Sequence, residues 1–314
     1  MTRRSGNRND KSAQFAKRLS ALYPWTSHPF IVGAPMRGLS GPALAVAVSR
    51  AGDLGFIASD AQSLFRDLND ASSLIHEESA LRKAAPPHIL PIGVGFQLWS
   101  DRLDAAATAI RKFQPEDIAT RRIRSVSSQT GVWVQIGTVA EAEGLVKRGP
   151  KPAGRDADDG MGLISLLPEV GDILARKRAE ISLVAAGGIA DGRGAAAVLC
   201  LGASGVAMGT RFLASEEAQI ARGHQRRFCV RATAAPRAII NRSFRDYQAN
   251  RSRRALKRLH DEAAKQGDAA WGTEGRAATY AGESVGLIRD VKSAGDIVAG
   301  VRKDAVERAS SWQG

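Results

Sequence analysis

Sulfur is scarce in this chain, aromatic rings are few, and long apolar runs are missing. The two cysteines, Cys200 and Cys229, stand far apart and form no metal or redox motif. Cys200 lies among alanines and leucines and reads as a small buried hydrophobe. With no cysteine framework, a reducing, cytoplasmic compartment is the default. No apolar run approaches the roughly 20 residues of a membrane-spanning helix, and no apolar signal core follows the start. Met1–Lys17 is polar and basic and reads as a disordered leader, with the folded part starting at about residue 23. Its Arg and Ser content leaves organelle targeting open, against which Asp10 counts. Aromatic residues make up 5% of a chain whose net charge is +13. A stacking platform for nucleic acid interleaves rings with cations. Here the basic clusters Arg3–Arg4, Arg121–Arg124, Arg222–Arg231 and Arg251–Arg258 lack that interleaving. The excess therefore reads as solvated surface that attracts anions in general.

What is abundant points elsewhere. Hydrophobic residues make up 44% of 314, with 32 glycines, a balance that suits an α/β enzyme of one barrel or two smaller domains. The most informative stretch is Ile181–Ser215, ISLVAAGGIADGRGAAAVLCLGASGVAMGTRFLAS. Two short apolar runs, Ile181–Ala186 and Gly205–Met208, each end in a glycine turn, Gly187-Gly188 and Gly209-Thr210. Gly192–Leu201 between them is long enough for a helix. This is a strand–helix–strand unit with parallel, doubly buried strands. Its two turns bring bare backbone N–H groups side by side, and Thr210 adds a hydroxyl. Together they make a phosphate cradle. A single glycine pair would read as a tight turn and nothing more; two on consecutive strands favour the cradle.

AAGGIADGRG and GVAMGTRFLAS resemble the phosphate-binding end of the nitronate monooxygenase family, formerly called 2-nitropropane dioxygenases. IVGAPMRGLSGPALAVAVSRAGDLGFIAS resembles that family's first βαβ unit. The likeness runs from about Tyr23 to about Val301. It implies an FMN-dependent TIM (β/α)8-type barrel in which the phosphate sits on the last two strand-to-helix loops. On these positions it implies that Ala34, Pro35, Met36 and Gly95 lie along the flavin ring, that Gly187, Gly188, Gly209 and Thr210 hold the phosphate, and that Ala207 and Met208 also bind the cofactor. Gln135, in the run Val132–Val139, is either a flavin contact or a satisfied polar residue of the barrel interior. The implied reaction is oxidation of alkyl nitronates by O2 to carbonyl compounds and nitrite. Residues 23–215 would form the barrel, and 216–314 a helical, lid-like region packed on it. Ser63–Lys83 and Asp101–Phe113 read as outer helices, Leu54–Ala58 and Ile89–Phe96 as strands.

The chain departs from the family in two places. After Phe113-Gln114-Pro115 a barrel needs a strand, but Glu116–Val126, EDIATRRIRSV, is charged and helical in pattern. After Arg148-Gly149-Pro150 a second strand is absent, and KPAGRDADDGMGLISLLPEV follows directly. The expected barrel is therefore incomplete, with six strands and unpaired edges. Counting back from Gly160–Val170, the family's catalytic histidine position reads Arg155. Arginine stays protonated and cannot act as a general base. His28, His76, His88, His224 and His260 all read as surface or turn residues. Asp156, Asp158 and Asp159 in the same loop could take a proton, or be simply solvated. The alternative reading is thus a catalytically impaired flavin- or phosphate-binding relative. Another flavin-barrel reaction, enoyl reduction with a nicotinamide cofactor, has no separate nicotinamide fingerprint to support it.

Overall fold

The computed structural model describes residues 17–60, 62–77, 79–95, 103–120, 131–136, 138–148, 162–177, 179, 181–229, 234–235, 238–239, 241–249, 252–265, 267–271, 274–277 and 281–311. Seven strands make one sheet: β1 (Phe30–Gly33), β2 (Leu54–Ile57), β3 (Leu90–Gly95), β4 (Pro115–Thr120), β5 (Gly131–Val134), β6 (Val184–Ala186) and β7 (Gly205–Met208). Their order is β5-β4-β3-β2-β1-β7-β6, and every pairing is parallel. β1, β2 and β3 are buried along their whole length, as strands covered on both faces must be.

The helices between them cover the outer face. α1 (Pro42–Arg50) starts with proline in its first turn, where the missing N–H costs nothing. The expected Ser63–Lys83 helix is two, α2 (Leu64–Glu77) and α3 (Ser79–Ala84). α4 (Leu103–Phe113), α5 (Val139–Arg148), α6 (Leu163–Arg176) and α7 (Gly192–Cys200) follow. Asp191 caps α7 by accepting from the N–H groups of Arg193 and Gly194. The long C-terminal helix (Ala294–Ser310) packs between α7 and α1, where its Ile297, Val298 and Val301 join Val198, Leu44 and Val48. It therefore belongs to the barrel wall.

The sheet is curled. In a flat sheet β5 and β1, four steps apart, would be separated by about 19 Å. Instead the ring of Trp133 on β5 lies 6.2 Å from that of Phe30 on β1 and 5.5 Å from that of Phe56 on β2. Tyr23 stacks on Phe30 at 5.2 Å and its hydroxyl accepts from Trp133 Nε1 at 3.2 Å. Phe30 opens β1, so this aromatic plug closes the N-terminal end of the barrel and leaves the C-terminal end for a site. Beside it Asp53, fully buried, accepts from Ile31 N–H at 2.7 Å and pairs with Arg302 of the C-terminal helix at 2.6 Å. Burial pushes the Asp53 carboxyl well above its usual range, against the opposing pull of Arg302.

One of the two gaps is filled. Pro115–Thr120, expected to lead into a helix, is β4, hydrogen-bonded between β3 and β5. Gln114 takes a left-handed φ of 45°, which ends α4 and turns the chain into the strand. Pro115 then disfavours helix at that point. The barrel is nevertheless open: among the described residues no strand joins β5 to β6. The second expected gap falls at residues 149–161, outside the described residues. The architecture is an incomplete (β/α)8-type barrel of seven described strands. Cys200, expected in the core, is exposed: α7 buries Ala195, Ala196 and Val198, and its last residue points away.

Candidate active site

All seven strands run the same way, so the residues after each C-terminal end gather on one rim. Ala34 follows β1, and its N–H donates to Met208 O at 2.9 Å, which extends the β1–β7 pairing by one residue. Gly209 follows β7; a Cβ built there would lie 3.4 Å from Met36 Sδ and 3.9 Å from Ala34 Cβ. Ala186 pairs with Ala207, so Gly187 and Gly188 emerge beside Met208 and Gly209. Gly95, at the end of β3, is packed on Pro35: an added Cβ would fall 2.2 Å from Pro35 Cβ. Ala34, Pro35, Met36, Gly95, Gly187, Gly188, Ala207, Met208, Gly209 and Thr210 thus share one continuous rim. Gln135 follows β5 on the same side, and its side chain is exposed.

Two features make the glycine turn suited to an anion. Gly187 and Gly188 have φ of 110° and 69°, values that a side chain disfavours. A Cβ at either would meet no atom within 4 Å, so bare backbone faces open space. Elsewhere on the rim, the Ala34–Met36 segment is held by Ser40, which sequence reasoning did not single out as a site residue. Its hydroxyl accepts from Met36 N–H at 2.8 Å, and its own N–H donates to Met36 O at 2.9 Å. Gly282 lies in the region read from the sequence as lid-like, but its contact was not singled out. Its N–H donates to Thr210 Oγ1 at 2.8 Å across 72 positions of sequence. Nothing local announces such a contact.

Nitronate monooxygenase is the description of the family model that matches residues 105–304, more than half of the chain. The nitronate monooxygenase npaC of Metarhizium robertsii is 44% identical over 349 aligned residues, covering 95% of this chain and 96% of the relative. The chain belongs to the nitronate monooxygenase family. A nitronate monooxygenase of Neurospora crassa is 31% identical, over 98% of this chain and 97% of its own. The npaC alignment is longer than this chain's 314 residues, so that relative carries residues this chain lacks. Among solved structures, the nitroalkane oxidase of Streptomyces ansochromogenes superposes with a TM-score of 0.71 at 24% identity, covering 94% of this chain and 99% of that one. That likeness supports the fold. The family is one of flavin-dependent oxidoreductases.

Within this nitronate monooxygenase family member, Arg155 and the neighbouring aspartates lie outside the described residues, as does the loop that bears them. Among the described residues no group of His, Cys, Asp and Glu is placed to hold a metal ion. No described helix is long and apolar enough to cross a membrane. His28 and His88 are exposed as expected and His260 is half-buried; the His76 side chain is not described. His224 is a correction. It is 6% exposed, on α8 (Arg222–Cys229), stacked on Trp271 with ring centroids 4.3 Å apart, and its Nε2 has no hydrogen-bond partner among the described residues. The basic pattern around it, RGHQRRFC, hid an inward face made by Gly223, His224 and Phe228.

Burial, with a smaller repulsion from His260, lowers the His224 pKa from 6.5 to about 4. Between these values the unfolded chain takes up a proton that the folded chain refuses. Stability should therefore fall as pH drops from 6.5 towards 4, by on the order of 3 kcal/mol at full titration. Urea unfolding at pH 7 and pH 4.5 checks this. His224→Phe, which keeps a ring against Trp271, should shrink the difference between the two midpoints.

Proposed function

We propose that this chain is an FMN-dependent nitronate monooxygenase that oxidises alkyl nitronates with O2 to carbonyl compounds and nitrite. The observation that carries this reading is the continuous rim from Gly95 and Pro35 through Met36 and Gly209 to Gly187-Gly188. Its parts fit the two ends of FMN. The open, side-chain-free turn at Gly187-Gly188 suits a phosphate, with Thr210 adding an O–H donor. The flat junction of Pro35 on Gly95 suits one face of a ring system, with Met36 beside it. Bound there, FMN would supply the redox chemistry, accepting electrons from the nitronate and passing them to O2.

The remaining work falls to the chain. Ser40 fixes the Met36 backbone, so the ring seat is set before any ligand arrives. The aromatic plug of Tyr23, Phe30 and Trp133 closes the far end of the barrel to water. A net charge of +13 draws anions, and a nitronate is already an anion. A substrate without a proton to lose needs no general base. If Arg155 stands where the resemblance puts it, a neutral nitroalkane finds no histidine there to deprotonate it.

The test is the visible spectrum of the purified protein titrated with FMN and then, anaerobically, with ethylnitronate. Flavin bands should appear and bleach with the nitronate. Equal concentrations of neutral nitroethane should bleach them at least about a hundredfold more slowly, the scale of a lost general base. Bound flavin that neither compound bleaches would instead favour the catalytically impaired relative.

A further inference from the structure

We propose that the Thr210 hydroxyl joins the flavin phosphate to a C-terminal strap, residues 281–294, so that the phosphate tightens the strap. This inference rests on the FMN reading above. The strap crosses the cradle in two halves. Its second half is fastened independently of any ligand. Arg211 donates to Asp290 O and to Asp290 Oδ1, both at 2.8 Å. Glu216 N–H donates to Lys292 O at 3.0 Å, Lys292 N–H to Ala214 O at 3.3 Å, and Ala294 N–H to Glu217 Oε2 at 2.9 Å. The hydrogen bond from Lys292, helped by Arg211 against partial burial, holds the Asp290 carboxyl below its usual range.

The first half is different. Ala281–Ile288 reaches the cradle by one polar tie among the described residues, the Gly282 N–H on Thr210 Oγ1 at 2.8 Å. The approach is close: a Cβ on Gly282 would come within 3.2 Å of that oxygen. Ala281, Val285 and Ile288 are buried in a cluster with Leu213, Ala214 and Phe228, and Met36 packs against it. The same half of the strap therefore borders the phosphate turn at one point and the ring seat at another.

The chemistry of a hydroxyl makes Thr210 a link between them. It has one donor and two acceptor positions. Gly282 occupies an acceptor position, and an N–H cannot accept the hydroxyl proton in return. That proton remains available to a phosphate oxygen. A hydroxyl that donates more strongly also accepts more strongly, so phosphate binding strengthens the tie to Gly282. Arg211, the nearest cation in sequence, is committed to Asp290 and leaves this role to Thr210.

Hydrogen–deuterium exchange of the 281–288 segment tests the proposal with FMN, with riboflavin, and without flavin. Flavin binding is followed separately by fluorescence quenching. Without flavin, Thr210→Val should speed exchange in 281–288 and Thr210→Ser should leave it near the parent rate. In the parent protein, saturating FMN should slow exchange there at least about tenfold, and riboflavin, which lacks the phosphate, should not. Thr210→Val should weaken FMN about tenfold, the scale of one hydrogen bond to a charged group, and should leave riboflavin binding unchanged. FMN that binds without slowing the segment, or that slows it equally in Thr210→Val, overturns the coupling while the FMN site stands. No FMN uptake overturns both.

Discussion

Replacing Arg302 by alanine should cost the folded protein about 3–5 kcal/mol, the range for breaking a buried ion pair from one side. Asp53 is 0% exposed, and the change would leave its carboxyl with the Ile31 N–H but without its countercharge. Arg302 also donates to Gly52 O at 3.0 Å, so the turn between α1 and β2 loses a partner too. The loss would show as a lower urea midpoint. Asp53→Asn combined with Arg302→Ala should recover part of it, because an amide has no charge to strand. The deficit also depends on pH in a definite direction. Burial already raises the Asp53 pKa, and removing Arg302 takes away what lowers it. The folded variant then binds a proton that the unfolded chain, titrating near 3.8, still lacks. Its deficit should shrink as pH falls towards that value and be largest at neutral pH. A deficit independent of pH would mean that lost packing outweighs the stranded charge.

Gly187→Val should abolish most of the flavin affinity. The φ of 110° at this position is strained for any side chain and worst for a β-branched one, which costs about 1–2 kcal/mol of stability. The larger effect is on the ligand. A branched side chain would fill the open space in front of the turn and keep a phosphate from the backbone N–H groups. Two hydrogen bonds to a charged group, at about 1.5 kcal/mol or more each, correspond to at least about a hundredfold in affinity. Gly267→Val is the control. Its φ of 62° is also left-handed, its Cβ also meets open space, and it belongs to none of the strands or turns that make the rim. It should lose stability and keep FMN. If both variants lose FMN equally, strain and not occupancy explains the effect.

How far the sequence was legible depended on how local the signal was. The Ile181–Ser215 unit appears in the structure with β6, α7 and β7 in order and positive φ at both Gly187 and Gly188, but β6 is shorter than the expected run, Val184–Ala186, and is not buried on both faces: Ala186 is exposed. Pro35 of the Ala-Pro-Met turn packs on Gly95, a contact between strand ends that were read separately. β4 was not legible. Its six residues, PEDIAT, carry too little apolar alternation to announce a strand. What makes them one is pairing on both sides, by β3 and β5, which no short-range pattern contains. His224 was misread because its neighbours are basic, while its burial is decided by Trp271 on a distant loop.

The sequence by itself determined the elements with a strong local code: the glycine turns and the parallel strand–helix–strand unit that carries them. Each follows from backbone freedom or hydrophobic period within about twenty residues. The tertiary structure alone decided the pairs that make a site of them. Pro35 meets Gly95, Arg302 meets Asp53 and Gly282 meets Thr210, the last two across 249 and 72 positions. Those contacts exist because the curled sheet brings strand ends together, and chain separation carries no record of that closure.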